Sequence, residues 1–161
     1  MKKLSRAVVL CASLLAVPSS PDSDIAFAEV YRYQQDPRID AVRDFFLQYD
    51  CPAAGLALDF VAAADHNGLD WRLLPSIAFI ESSGGKDFRN NNILGWDNGR
   101  QEFRSVSAGI HYVGYQLAHS SLYRNKPLER KLFTYNPRPE YVRLILDIMS
   151  TLGPESLPPK P

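Results

Sequence analysis

The residue whose type and position best suit chemistry in this sequence is Glu81. Counting back by three and then four positions reaches Ala78 and Leu74, so its carboxyl continues the stripe that an apolar helix turns inward. A carboxyl at the end of such a stripe is poorly solvated, which disfavours its charged form and raises its pKa. The partial negative charge of a helix C-terminus pushes the same way. A carboxyl that keeps its proton near neutral pH can deliver it to a leaving oxygen, the task of a general acid. Periodicity by itself favours a glutamate turned to solvent at a frayed helix end, as most glutamates there are; the sequence around it shifts the balance.

The other reactive side chains carry less. Asp97 and Glu102 are the nearest acidic residues downstream, each either a solvated loop charge or a second acid. Cys51 beside Pro52 reads as packing, since a nucleophile needs a partnered base. His66, His111 and His119 are scattered and form no metal-ligand motif, and no cofactor is expected. Gly84-Gly85-Lys86 follows a helix rather than a strand and lacks the spacing of a phosphate loop. No Gly-x-Ser-x-Gly elbow is present.

The elements that must position Glu81 are helical. Asp36-Pro37 pairs a capping side chain with a residue pre-set for a first turn, ahead of Val42, Phe45, Phe46 and Tyr49 at helical spacing. A second helix is predicted from about Ala53 to His66, with Leu56, Phe60, Ala63 and Ala64 inward and Asn67-Gly68 as its stop. A third, capped by Asp70, runs through Glu81 and buries Leu73, Leu74, Ile77, Ala78 and Ile80, with a local kink expected at Pro75. Ser82-Ser83-Gly84-Gly85 ends it. Ser105 caps a fourth helix carrying Val106, Ile110, Val113 and Leu117; Pro127 opens a fifth with Leu128, Leu132 and Tyr135. Pro139 opens the last, with Val142, Ile145, Met149 and Leu152 inward and Gly153-Pro154 as its stop. The expectation is an all-α fold of about six helices, with at most a small β-hairpin near residues 93 to 104.

The run Gly68-Leu69-Asp70-Trp71-Arg72-Leu73-Leu74-Pro75-Ser76-Ile77-Ala78-Phe79-Ile80-Glu81-Ser82-Ser83-Gly84-Gly85-Lys86 resembles the helix-to-glutamate segment of lytic transglycosylases and bacterial endo-β-N-acetylglucosaminidases, within the lysozyme-like superfamily. Asn91-Asn92-Ile93-Leu94-Gly95-Trp96 is similar to the segment that the glucosaminidase branch places after its glutamate. Phe103-Arg104-Ser105, then Tyr135-Asn136-Pro137 and Tyr141-Val142, continue the likeness in order over about residues 53 to 150.

The resemblance implies a lysozyme-like domain that cleaves peptidoglycan, or another N-acetylated glycan, with Glu81 as general acid/base and Ser82 after it at the groove. It implies a tyrosine near the catalytic carboxyl at Tyr135. Side-chain chemistry adds Trp96 and Tyr135 as flat faces for sugar stacking, and Asn91 and Asn92 as donors and acceptors for N-acetyl and hydroxyl groups. Trp96 serves equally well as a core anchor for its loop, and Ser82 as a helix-end cap. The branch usually carries a second acidic residue on a longer hairpin, whereas about ten residues separate Trp96 from Ser105 here. A single-carboxylate, lytic transglycosylase route is therefore what the likeness implies. The alternative is a non-catalytic glycan-binding or scaffold protein that keeps the fold.

At the N-terminus, Lys2, Lys3 and Arg6 precede an apolar run from Ala7 to Val17, the pattern of a signal peptide and too short for a membrane-spanning helix. Cleavage is expected after Ala26-Phe27-Ala28 or earlier, near Ser19 or Ser20, which makes the protein periplasmic or secreted to the cell wall. Cleavage after Ala28 leaves 133 residues with 15 basic and 16 acidic side chains, a net −1 that does not suit a nucleic-acid binder. It also leaves Cys51 as the sole thiol, so stability rests on the core. The expected organisation is a signal peptide at 1–28, a linker at 29–35, one monomeric domain at 36–153 and a disordered tail at 154–161, with no stable membrane span.

Overall fold

A computed structural model describes Tyr33 and residues 35–157; the expected signal peptide lies outside the described residues. Among them the chain is all-helical. Six α-helices follow one another: α1 Pro37–Gln48, α2 Ala57–Asn67, α3 Leu73–Ser82, α4 Val106–His119, α5 Leu128–Tyr135 and α6 Pro139–Leu152. Two short 3₁₀ turns, Pro52–Leu56 and Trp96–Gly99, complete the regular structure. No helix among the described residues is long and apolar enough to cross a membrane.

The caps explain the boundaries. Asp36 accepts from the Arg38 amide and Pro37 opens α1; Ser105 accepts from the Ala108 amide and opens α4. Gly68, with φ of 62°, closes α2 in the left-handed conformation that costs glycine least. Two starts differ from expectation. Residues 52–56 wind as a 3₁₀ turn before α2 begins, and α3 starts at Leu73 rather than near Asp70. Asp70 instead holds a preceding turn, taking the Arg72 amide on its side chain and the Leu73 amide on its carbonyl. Pro75 thus falls in the first turn of α3, where its missing N–H costs no helical hydrogen bond.

Helix α3 is the centre of the domain. Leu73, Leu74, Pro75, Ser76, Ile77 and Ala78 are all buried, so the helix is covered on every side rather than along one stripe. It packs against α2 and α6, while α2 packs on α4 and α5 on α6. An aromatic cluster of Phe45, Phe46, Tyr49, Phe60 and Phe79 joins α1 and α2 to one flank of α3. Cys51 is buried and free, packed so closely on Gly84 that a Cβ there would meet its sulfur at 2.5 Å.

Both ends of the described part are tied to this core. Tyr33, within the expected linker, is buried and donates to Asp65, and Arg38 bridges Asp36 and Asp65. The start of the expected disordered tail is docked: Trp71 Nε1 donates to the Glu155 carbonyl at 2.8 Å, and Leu157 packs on the core. A buried indole N–H needs an acceptor, and the tail backbone supplies it.

Candidate active site

Glu81 stands one residue before the end of α3, where the chain turns sharply. Ser83, Gly84 and Gly85 take φ values of 51°, 66° and 87°, three successive left-handed residues that halt the helix immediately beyond the glutamate. Its side chain is half-buried. Burial raises the carboxyl above its ordinary value, opposed in part by Tyr141 and by the positive charge of Arg138. Among the described residues, no other carboxylate is a cause of that shift.

Facing Glu81 is the segment from Asp87 to Gln101, which forms one wall of a cleft of about 1050 Å³. Its backbone is a chain of left-handed turns at Asn90, Asn91, Gly95, Asp97, Asn98 and Gly99. Such a path cannot run extended. Its two legs are therefore joined by a single backbone bond, Phe103 N on Asn90 O, and by side-chain amides of Asn90, Asn91 and Asn92 on the carbonyls of Gly99, Phe103 and Gln101, and no strand forms among the described residues. The rest of the lining comes from the α4–α5 link, the end of α5 and the α5–α6 link, with Leu122, Tyr123, Tyr135 and Arg138.

Asn92 holds this wall in shape. Its buried amide donates to the carbonyls of Trp96 at 2.8 Å and Gln101 at 3.0 Å, and its oxygen accepts the Trp96 amide at 2.9 Å. The loop so braced presents Trp96 to the cleft, its ring near Tyr123 at 5.8 Å and Tyr135 at 5.7 Å. Gly95 crosses directly over Glu81: a Cβ there would lie 2.7 Å from Oε2. Tyr135 fixes the same stretch from the other side, its hydroxyl donating to the Leu94 carbonyl.

Glu81, Asn92, Trp96, Asp97 and Tyr135 thus line one cleft, and three other sequence candidates do not. Ser82 is buried, donating to the Ala78 carbonyl and accepting the Gly85 amide, so it caps the helix end rather than facing the groove. Asn91 is exposed outside the cleft and spends its amide on Phe103. Glu102 is exposed and outside the lining. Asp97 borders the cleft but is ion-paired with Arg100 at 2.6 Å. Asn92 lines it with both amide hydrogens committed to the loop, the role of a brace more than of a sugar contact.

Sequence reasoning missed Tyr141, Arg138 and Tyr123. Tyr141 is buried in the first turn of α6, its ring parallel to that of Tyr135 at 6.3 Å, and its hydroxyl faces the Glu81 carboxyl without a hydrogen bond of standard geometry. The only sequence signal was its place in the Tyr141-Val142 pair. The histidines are less scattered than the sequence suggests: His66 and His111 have ring centroids 5.9 Å apart, and Asp59 acts on His111. They sit on α2 and α4, outside the cleft lining. No trio of ligating side chains gathers among the described residues.

No family model, curated protein or solved structure matches the chain.

Proposed function

We propose that this chain is an exported, peptidoglycan-cleaving enzyme of the lysozyme-like kind, acting on the β-1,4 bond between N-acetylated amino sugars with Glu81 as general acid and base. One observation carries the reading. A half-buried carboxyl, held above its ordinary pKa by desolvation, stands in an open cleft of about 1050 Å³ lined by Trp96, Tyr123 and Tyr135. That volume lies at the upper end of the roughly 300–1,000 Å³ range of ligand pockets. Aromatic faces with polar edges suit the apolar faces and hydroxyl rims of sugar rings. The basic N-terminus and its short apolar run support export.

The resemblance, with its shortened segment after Trp96, favours a single-acid mechanism, although Asp87 and Asp97 also line the cleft. Protonated Glu81 gives its proton to the glycosidic oxygen as the C1–O bond breaks, and the sugar's own acetamido oxygen bonds to C1. The Glu81 carboxylate then removes the proton from the C6 hydroxyl. That oxygen attacks C1 and displaces the acetamido oxygen, leaving a 1,6-anhydro ring and a reprotonated Glu81. Asp97, tied to Arg100, is poorly suited to act as the second carboxylate that a conventional hydrolysis employs.

Digestion of purified murein followed by mass spectrometry tests the reading. Anhydro-sugar ends are expected; reducing ends would replace the single-acid route with hydrolysis. Murein bound but never cut would select a glycan-binding protein instead.

A further inference from the structure

We propose that His66 and His111 form a binding site for one divalent transition-metal ion of the zinc class, which clamps α2 to α4 away from the cleft. The two residues are far apart in sequence, yet across the α2–α4 packing their ring centroids stand 5.9 Å apart with planes at 34°. A zinc ion lies about 2.0–2.1 Å from a ligating nitrogen and hence about 3.2 Å from the ring centre, so two rings that share one ion have centres roughly 5–6.4 Å apart. The pair falls inside that interval. His66 is exposed, so its ring can adjust about its side-chain bonds at little cost. His111 is half-buried, and no hydrogen bond to a described residue engages its ring. Burial lowers its pKa, against the pull of Asp59 and with the push of His66, which favours the neutral, ligating form.

The backbone that carries the two rings is already fixed. Toward the start of both helices the Ser107 hydroxyl donates to Asp59, and at their ends His119 Nε2 bonds the Asn67 side-chain oxygen at 3.1 Å. Asn67 is itself oriented by its donation to the Ala63 carbonyl at 2.8 Å, so its oxygen accepts and His119 donates. Between these ties the helices approach closely, a Cβ on Gly114 meeting the Ala63 carbonyl at 3.5 Å. Ligands held before binding lose little freedom when the ion arrives. Ser107 and His111 lie one turn apart on the same face of α4, so the carboxylate that Ser107 holds is on the His111 side of the interface. A carboxylate there orients a ligating imidazole and adds negative charge to the site. Imidazole suits zinc, copper and nickel, whereas calcium and magnesium take oxygen ligands. No third ligating side chain joins the two among the described residues, so water completes the coordination.

The test is calorimetric titration of the full chain with Zn²⁺ alone in a non-chelating buffer, followed by thermal melts at saturating zinc. One equivalent is expected to bind and Tm to rise by a few degrees, since the ion is held by the folded chain. In nitrogen-15 spectra of the histidine side chains, the His66 and His111 rings should shift together while His119 does not. His66→Gln, at an exposed position that leaves the core untouched, and His111→Gln should each weaken binding at least tenfold, about the least that even a lost outer-shell partner costs. His119→Gln should keep both the affinity and the rise in Tm. No stoichiometric binding, or binding and a rise in Tm that survive His66→Gln, would overturn the proposal. Neither outcome bears on Glu81, since both histidines lie outside the cleft lining.

Discussion

Gly95 passes so close to Glu81 that a Cβ on it would stand 2.7 Å from Oε2 and 3.2 Å from the Glu81 Cβ. The residue's φ of 69° makes the same demand for glycine, because other L-residues lose about 1–2 kcal/mol in the left-handed region. Gly95→Ala is therefore expected to lower Tm by several degrees and murein turnover by about tenfold or more, as the methyl displaces the carboxyl. Thermal melts and product release measure the two effects separately. A variant with wild-type turnover would show that the close approach has no part in catalysis.

Replacing the carboxyl itself separates chemistry from stability. Glu81→Gln should reduce turnover by at least about a hundredfold, within the range for loss of a general acid. The raised pKa of Glu81 means that the folded state binds its proton more tightly than the unfolded chain does. Its contribution to stability is then fully present below the ordinary 4.5 and is lost as pH rises through the raised value. Relative to wild type, Glu81→Gln should thus gain stability on going from acidic to neutral pH. Denaturant unfolding at a series of pH values reads this, and a pH-independent difference would mean that the carboxyl is not desolvated.

The activity profile carries the complementary sign. With the protonated carboxyl as the starting form, turnover should decline with rising pH as Glu81 ionises, and the basic limb should lie above the usual glutamate range. Arg138 opposes the shift, so Arg138→Gln should move that limb further upward. A limb that moves down, or stays fixed, would assign the titration to another group.

Asn92 is expected to matter through the loop. Asn92→Asp keeps the shape and still accepts the Trp96 amide but turns a donor to two carbonyls into an acceptor, and the two hydrogen bonds lost correspond to roughly 1–3 kcal/mol. Asn91→Asp, with one bond from an exposed side chain, should cost about 1 kcal/mol or less. Equal losses in urea unfolding would contradict the bracing role of Asn92.

The docked tail gives a test far from the cleft. Trp71→Phe removes the donor to the Glu155 carbonyl and should cost about 1 kcal/mol. Ending the chain after Leu152 also strips the acceptor of Arg72 on Gly153, and should cost more. Unchanged midpoints would leave the tail as an idle contact.

Much of the architecture was readable because its signals are local. Capping residues such as Asp36, Ser105 and Gly68 sit beside the turns that they close, and a side chain reaches its own helix end whatever the rest of the chain does. Apolar spacing likewise marked the helices, as the repeat of α4 shows in Ile110, Val113 and Leu117. The same locality misled at Asp70, whose capping chemistry served a turn instead of the helix; at 93 to 104 successive left-handed residues left no extended ladder, within the expectation of at most a small hairpin.

Glu81, too, was marked by the sequence as the charged residue that continues an apolar helical stripe, ahead of a serine–glycine stop. What decided its surroundings was tertiary. The Gly95 backbone, the Tyr141 hydroxyl and the Arg138 charge come from segments 14 to 60 positions away, and no helical or turn periodicity relates them to Glu81. Ser82, adjacent in sequence, turns into the core, while Tyr141 comes to face the carboxyl. Desolvation is a property of everything packed around a group, so only the assembled cleft determines how tightly that carboxyl holds its proton.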